Sequence, residues 1–181
     1  MDLERYCYDY PRPAVSADIA IFALDQSNVH ILLIKRGNEP FKDKWALPGG
    51  YLEMDETIEI CAERELFEET AIRNASLEQF YTFSSINRDP RGRVLTVAFW
   101  SLIDKNLARI SAGDDAVQAE WFLLNKMPEL AFDHAEIVAL AIEKLLSLKQ
   151  SSDSAIAQRF NLPPSFSLKL LKPALEQINL P

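Results

Sequence analysis

The chain predicts an α/β sandwich, and three observations carry that expectation. Five stretches rich in β-forming residues punctuate it; two helical stretches lie between and after them; one of those helices is apolar on two opposite sides. A helix apolar on both sides, with acids between, suits a layer packed within a sandwich better than a surface position.

Taken in order, Ala14 to Leu24 alternates well enough for a strand, Asp25 to Asn28 reads as a turn, and Val29 to Lys35 as the partner strand. Residues 36–46, with Gly37 and Pro40, read as a loop. A helix follows from about Thr57 to Thr70, with Asp55 as its N-cap. Ile58, Ala62 and Leu66 line one side of it, and Ile60 and Phe67 the other. Leu77 to Ile86 and Val94 to Ile103 are further strands, joined by a turn, Asn87 to Arg93, that contains Asp-Pro, a glycine and three arginines. Gln118 to Leu124 forms a strand around Trp121. Pro128 then breaks the chain before a helix from about Asp133 to Leu148, whose Ile137, Leu140, Ala141 and Leu145 repeat at helical spacing. The expected organisation is a domain over residues 1–149, a linker over 150–154 and a short helical extension over 155–181, where Pro163-Pro164 precedes a second amphipathic segment around Phe166 to Ile178.

At 181 residues the chain suits one domain plus an appendage, burying about 70% of its unfolded surface. Its net charge of −8 disfavours broad binding to nucleic acid or an anionic membrane, since both rest on clustered Lys and Arg. Two cysteines, Cys7 and Cys61, make no disulfide framework and predict free thiols in a reducing compartment. No apolar run reaches membrane-spanning length and the N-terminus lacks a signal-type apolar stretch, so the cytoplasm is the expected location.

The chemistry concentrates between Gly50 and Glu69. A Gly-Gly turn opens onto the first helix, which ends in a block of carboxylates. Residues three and four apart share a helix face, so Glu65, Glu68 and Glu69 point into one patch. Like charges there repel by roughly 0.2–0.5 kcal/mol per pair. Mg²⁺ turns that repulsion into affinity, because it takes oxygen ligands and needs only one or two protein carboxylates beside substrate phosphates. Arg64, one turn before Glu68, is placed to pair with it and hold the array in register.

Gly50, Glu56, Arg64, Glu65, Leu66, Glu68, Glu69 and Ile72 match, in register, the Nudix signature G-x5-E-x7-R-E-U-x-E-E-x-G-U, in which U is bulky and aliphatic. Ala71 stands where the signature has its second glycine; it removes no ligand, and alanine adopts a left-handed C-cap at about 1–2 kcal/mol. The approach, Leu32 to Arg36 and then Trp45 to Gly50, also resembles the lead into a Nudix box. The chain thus resembles the Nudix hydrolases over roughly residues 14–148, and most closely those acting on ADP-ribose and the related regulators of NAD metabolism.

That resemblance implies an α/β/α sandwich with a mixed sheet and a pyrophosphohydrolase dependent on Mg²⁺ or Mn²⁺. Glu65 and Glu69 are the leading ligands, Glu68 the third, and a backbone carbonyl of Gly49 or Gly50 completes the shell. Glu56, at the helix start, is architectural. A general base comes from a box glutamate or from the loop Gly113 to Trp121, with Asp115 the first choice and Glu120 the second. Lys35, Arg36, Arg88, Arg91 and Arg93 are candidate phosphate contacts, and Tyr81, Phe83 or Phe22 candidate base-stacking rings. His30 and His134 do not form a metal pair by spacing and receive no catalytic role.

Cleavage of ADP-ribose to AMP and ribose 5-phosphate is the leading expectation, by a homodimer without nucleic-acid or membrane partners. The segment Ser-Gln-Pro-Trp-Pro-Phe-Pro that marks NADH-cleaving relatives does not follow the box. The competing expectation is a non-catalytic sensor of an ADP-ribose-type ligand, since Phe160 to Ile178 resembles the opening of the winged helix carried by Nudix-related regulators. Arg159, Lys169 and Lys172 are the cations of the extension, a thin footprint for DNA.

Overall fold

The computed structural model describes residues 8–25, 28–105, 110–111, 116–163 and 167. Among the described residues, seven strands form one mixed sheet: β1 (Ala14–Asp25), β2 (Asn28–Arg36), β3 (Trp45–Ala46), β4 (Gly49–Tyr51), β5 (Glu78–Phe83), β6 (Val94–Asp104) and β7 (Ala116–Leu123). β1 and β6 run parallel along their whole length, from Ala14↔Val94 to Leu24↔Asp104, and the remaining pairings are antiparallel. The short β3 and β4 fall within stretches read from sequence as loop and helix approach. At two and three residues they are too brief to show alternation.

Those two short strands mark the feature that makes a site. β1 and β2 pair only from Phe22↔Ile31 to Asp25↔Asn28. Beyond that the two separate, β2 taking β3 at Ile34 and Lys35 while β1 takes β4 at Ser16 to Asp18. The sheet therefore opens into a wedge whose filling is Trp45 to Tyr51.

Helices cover both faces. α1 (Ile58–Thr70) packs Cys61, Ala62 and Leu66 against Ala17, Ile19, Ile21, Leu32 and Phe99. α2 (His134–Ser147) packs Ile137, Val138, Ala141 and Leu145 against Phe22, Ile31, Leu33 and Trp100. Successive strand residues point to opposite faces, which is why even and odd positions of β1 and β2 divide between these cores. Trp100, 1% exposed, anchors the larger one; truncating it to alanine costs about 3–5 kcal/mol.

α1 departs from expectation twice. It is buried on one side, not two, since Ile60 is 52% exposed and Phe67 is capped by the Arg73 guanidinium 3.5 Å from its ring centroid. Its N-cap is Thr57, whose Oγ1 accepts from the Ile60 amide, because Asp55 lies two residues too early in the turn. At the other end Ala71 is left-handed at φ 62, with its N–H donating to the Phe67 carbonyl.

α3 (Asp153–Arg159) begins within the segment expected as linker, capped by Ser152. Ile156, Phe160 and Leu162 join the α2-side core, with the Phe160 ring 4.9 Å from that of Trp100. The amphipathic segment around Phe166 to Ile178 lies, Ser167 apart, outside the described residues.

Candidate active site

α1 closes the wedge on one face, and contact there depends on glycine. A Cβ on Gly50 would lie 2.2 Å from Glu65 Oε1, and one on Gly49 2.1 Å from the Ala17 carbonyl. The carboxylates of α1 touch the β4 backbone because side chains are missing from it.

Glu69 is 9% exposed, and its Oε2 accepts from the Gly49 amide at 2.9 Å. Burial pushes its pKa up to about 8, Glu65 and Asp18 adding to the shift and the Gly49 N–H opposing it. Burial also raises Glu65, against the pull of Arg64. The guanidinium of Arg64 gathers three carboxylates. Nε and Nη2 hold Glu56 at 3.0 and 2.6 Å, and Nη1 holds Glu65 at 2.7 Å and Glu68 at 3.0 Å. Hydrogen bonding to Arg64 brings the Glu56 pKa down to about 2, and Glu56 in turn accepts from the Glu53 amide. Cys61 behind them is held protonated, its pKa pushed up to about 12 by burial.

Among the described residues no three His, Cys, Asp or Glu side chains converge as a finished metal cage, since Arg64 draws Glu65 and Glu68 to itself. The donor set nevertheless fits a hard divalent cation. Glu65, Glu68 and Glu69 offer only oxygens onto a cavity of about 460 Å³ that also includes Gly49, Gly50 and Arg36. A buried carboxylate whose charge is disfavoured, as at Glu69, gains most from such an ion.

Arginines line the same cavity. Arg36 and Arg91 both line that cavity and a smaller one of about 70 Å³ beside it. Asp89 grips Arg91 at 2.6 Å, and the Arg91 Cζ lies 4.9 Å from the Tyr51 ring centroid. Burial, then Arg91, lowers the pKa of Arg36. Arg88 also borders the smaller cavity, but its guanidinium is already engaged: Asp133 takes Nε and Nη2 at 2.8 and 2.7 Å, and Asp18 takes Nη2 at 3.3 Å. Its side chain is 4% exposed, so Arg88 is a buried structural cation here, not a free phosphate contact.

His134 completes that buried cluster. Its Nδ1 accepts from the Leu47 amide at 2.9 Å, which fixes the proton on Nε2, 3.5 Å from Asp18 Oδ1. Burial lowers its pKa, keeping the ring neutral. Asp18, Asp133, Asp89, Tyr51 and Phe132 were not singled out in the sequence, and His134 was given no role there. Asp18 alone carried a signal, as an acid inside the apolar run Ala14 to Leu24.

Other expected site residues lie elsewhere. Lys35 shares the α2 face with Ile31 and Leu33, away from the carboxylates. Glu120 pairs with Leu33 across β7 and β2, so it occupies the same wrong face, hydrogen-bonded to Gln118. Arg93 is spent on the Ser85 carbonyl. Tyr81 and Phe83 meet edge-to-face along β5 and line neither cavity, and Phe22 is fully buried core. Asp115 lies outside the described residues.

The family model for the NUDIX domain matches residues 12–141. Over 137 residues, 76% of this chain and 77% of the relative, the chain is 44% identical to an ADP-ribose pyrophosphatase of Methanocaldococcus jannaschii. Over 178 residues, 94% of this chain and 68% of the relative, it is 37% identical to the ADPR responsive transcriptional repressor NtrR of Acinetobacter baylyi. The NUDIX domain of Shewanella oneidensis NrtR, in its cocrystal structure with ADP ribose, superposes with a TM-score of 0.70 at 31% identity, covering 76% of this chain and 94% of that one.

Proposed function

The chain belongs to the Nudix family, and we propose that it cleaves the diphosphate of ADP-ribose to give AMP and ribose 5-phosphate. The observation that carries the reading is one cavity lined by Glu65, Glu68 and Glu69 together with Arg36 and Arg91. Mg²⁺ or Mn²⁺ bound to those glutamates, with a Gly49 or Gly50 carbonyl, would neutralise charge on the bridging and leaving oxygens and acidify a water. Arg36 and Arg91 bind the phosphoryl oxygens and stabilise charge that grows there during cleavage. Arg64 orients Glu65 and Glu68, and Glu56 keeps Arg64 in place. Glu65, or Asp115 from its loop, takes the proton of the attacking water.

A second reading is favoured by one observation. The repressor relative matches through α3 and into the extension, 94% of this chain, whereas the pyrophosphatase match covers 76%. On that reading the same cavity senses ADP-ribose and DNA is a partner. Incubation with ADP-ribose and Mg²⁺ separates the two. Release of AMP in step with the metal supports the hydrolase; a raised Tm without turnover supports the sensor.

A homodimer in the cytoplasm belongs to the same proposal. Among the described residues no helix is long and apolar enough to cross a membrane, and light scattering of the purified protein tests the dimer.

A further inference from the structure

Residues 130–134 form a strap that contacts Trp45, Leu47 and all three of Arg36, Arg88 and Arg91. Leu130 bridges to Trp45, and the Ala131 amide donates to the Trp45 carbonyl at 2.8 Å. Asp133 holds Arg88, and His134 holds the Leu47 amide. Phe132 sits between them in a left-handed conformation, φ 53, that bulky side chains rarely adopt. Backbone strain of this kind persists where its surroundings enforce it, and it gathers at functional sites.

The Phe132 ring is the meeting point of the two cavity arginines. Its centroid lies 4.8 Å from the Arg36 Cζ and 5.4 Å from the Arg91 Cζ, with the Phe41 ring edge-on at 4.7 Å. Two guanidiniums this close repel, and the negative face of an aromatic ring attracts both. Arg36 is steadied further through its Nε, which donates to the Pro40 carbonyl at 2.9 Å. Arg91 has Asp89. Phe132 is the element they share.

We propose that Phe132 is a positioning residue whose ring keeps Arg36 and Arg91 facing the carboxylate cavity together, and thereby sets its preference for ligands with two linked phosphoryl groups over ligands with one. This rests on the reading that the cavity takes a nucleoside diphosphate. A ligand with two phosphoryl groups uses both cations at once; a monophosphate is satisfied by either. Loss of the ring lets the guanidiniums separate and removes that advantage.

The test is calorimetric binding of ADP-ribose and of AMP to the full chain in EDTA, so that turnover plays no part. Three proteins are compared: wild type, Phe132→Gly and Phe132→Tyr. Glycine accepts φ 53 without strain, so the first variant removes the ring and spares the backbone. Its ADP-ribose affinity is expected to fall about tenfold, its AMP affinity by less than about threefold, with thermal unfolding still cooperative. Phe132→Tyr keeps the ring and is expected to bind both ligands as wild type does. Equal loss for the two ligands in Phe132→Gly, or ADP-ribose binding within twofold of wild type, overturns the proposal. So does a Phe132→Tyr protein that folds but loses the diphosphate preference, a criterion that stands even if the glycine variant fails to fold. Wild-type protein that cleaves ADP-ribose with Mg²⁺ but shows no preference for it over AMP in EDTA also overturns the proposal, whereas wild type that neither binds ADP-ribose in EDTA nor cleaves it with Mg²⁺ sinks the functional reading beneath it.

Discussion

The Glu69 carboxylate accepts the Gly49 amide at 2.9 Å, joining the last turn of α1 to the strand that fills the wedge. One hydrogen bond leaves most of a buried carboxylate's charge uncompensated, and the pKa near 8 follows.

Stability of the metal-free protein should therefore depend on pH through Glu69. The folded pKa of about 8 exceeds the ordinary 4.5, so this group's contribution is complete below pH 4.5 and lost as pH rises to 8. Thermal unfolding in EDTA is expected to show Tm falling over that window, and Glu69→Gln to flatten the slope. Added Mg²⁺ should raise the wild-type Tm at pH 8 more than the variant's. The same substitution should reduce turnover by orders of magnitude, and survival of activity would remove Glu69 from the ligand set.

Glu56 has the opposite sign. Its pKa is down to about 2, so its contribution is present above the ordinary 4.5 and is lost as pH falls through 2. Glu56→Gln is expected to lower stability at pH 7 by about 1–3 kcal/mol and to weaken the acid dependence below pH 4.5, both readable from denaturant melts followed by circular dichroism.

Ala71→Gly should be stabilising. The left-handed φ of 62 at the α1 C-cap strains alanine by about 1–2 kcal/mol, while the extra freedom of glycine in the unfolded chain returns about 0.4–1 kcal/mol. A net gain of roughly 0.5–1 kcal/mol is expected in urea melts, with kcat and KM unchanged.

Arg88→Met should be among the most damaging single changes near the site. It leaves Asp18 and Asp133 buried without their cation, a situation that costs about 3–5 kcal/mol. The measurement is the midpoint of chemical unfolding. A loss below about 1 kcal/mol would show that the pair behaves as a surface bridge.

The helices and long strands were legible because their periodicity survives in sequence, and the carboxylate block because α1 places i, i+3 and i+4 on one face. What could not be read was which face of a strand meets the site. Lys35 and Arg36 are neighbours in sequence, yet Arg36 lines the cavity while Lys35 joins the face of Leu33. Arg88 and Arg91 look alike on their turn, and only tertiary partners separate a buried cation from an open one. Phe132 and His134 belong to no motif. Their roles arise from contacts with Arg36 and with Leu47, 87 residues from His134.

The seating of Phe160 on Trp100 has a mechanical corollary. With Arg159 paired to Glu78 of β5 and Leu162 buried in the same core, α3 is fixed to the sheet at its C-terminal end. A shift of β6 at Trp100 therefore carries α3 with it.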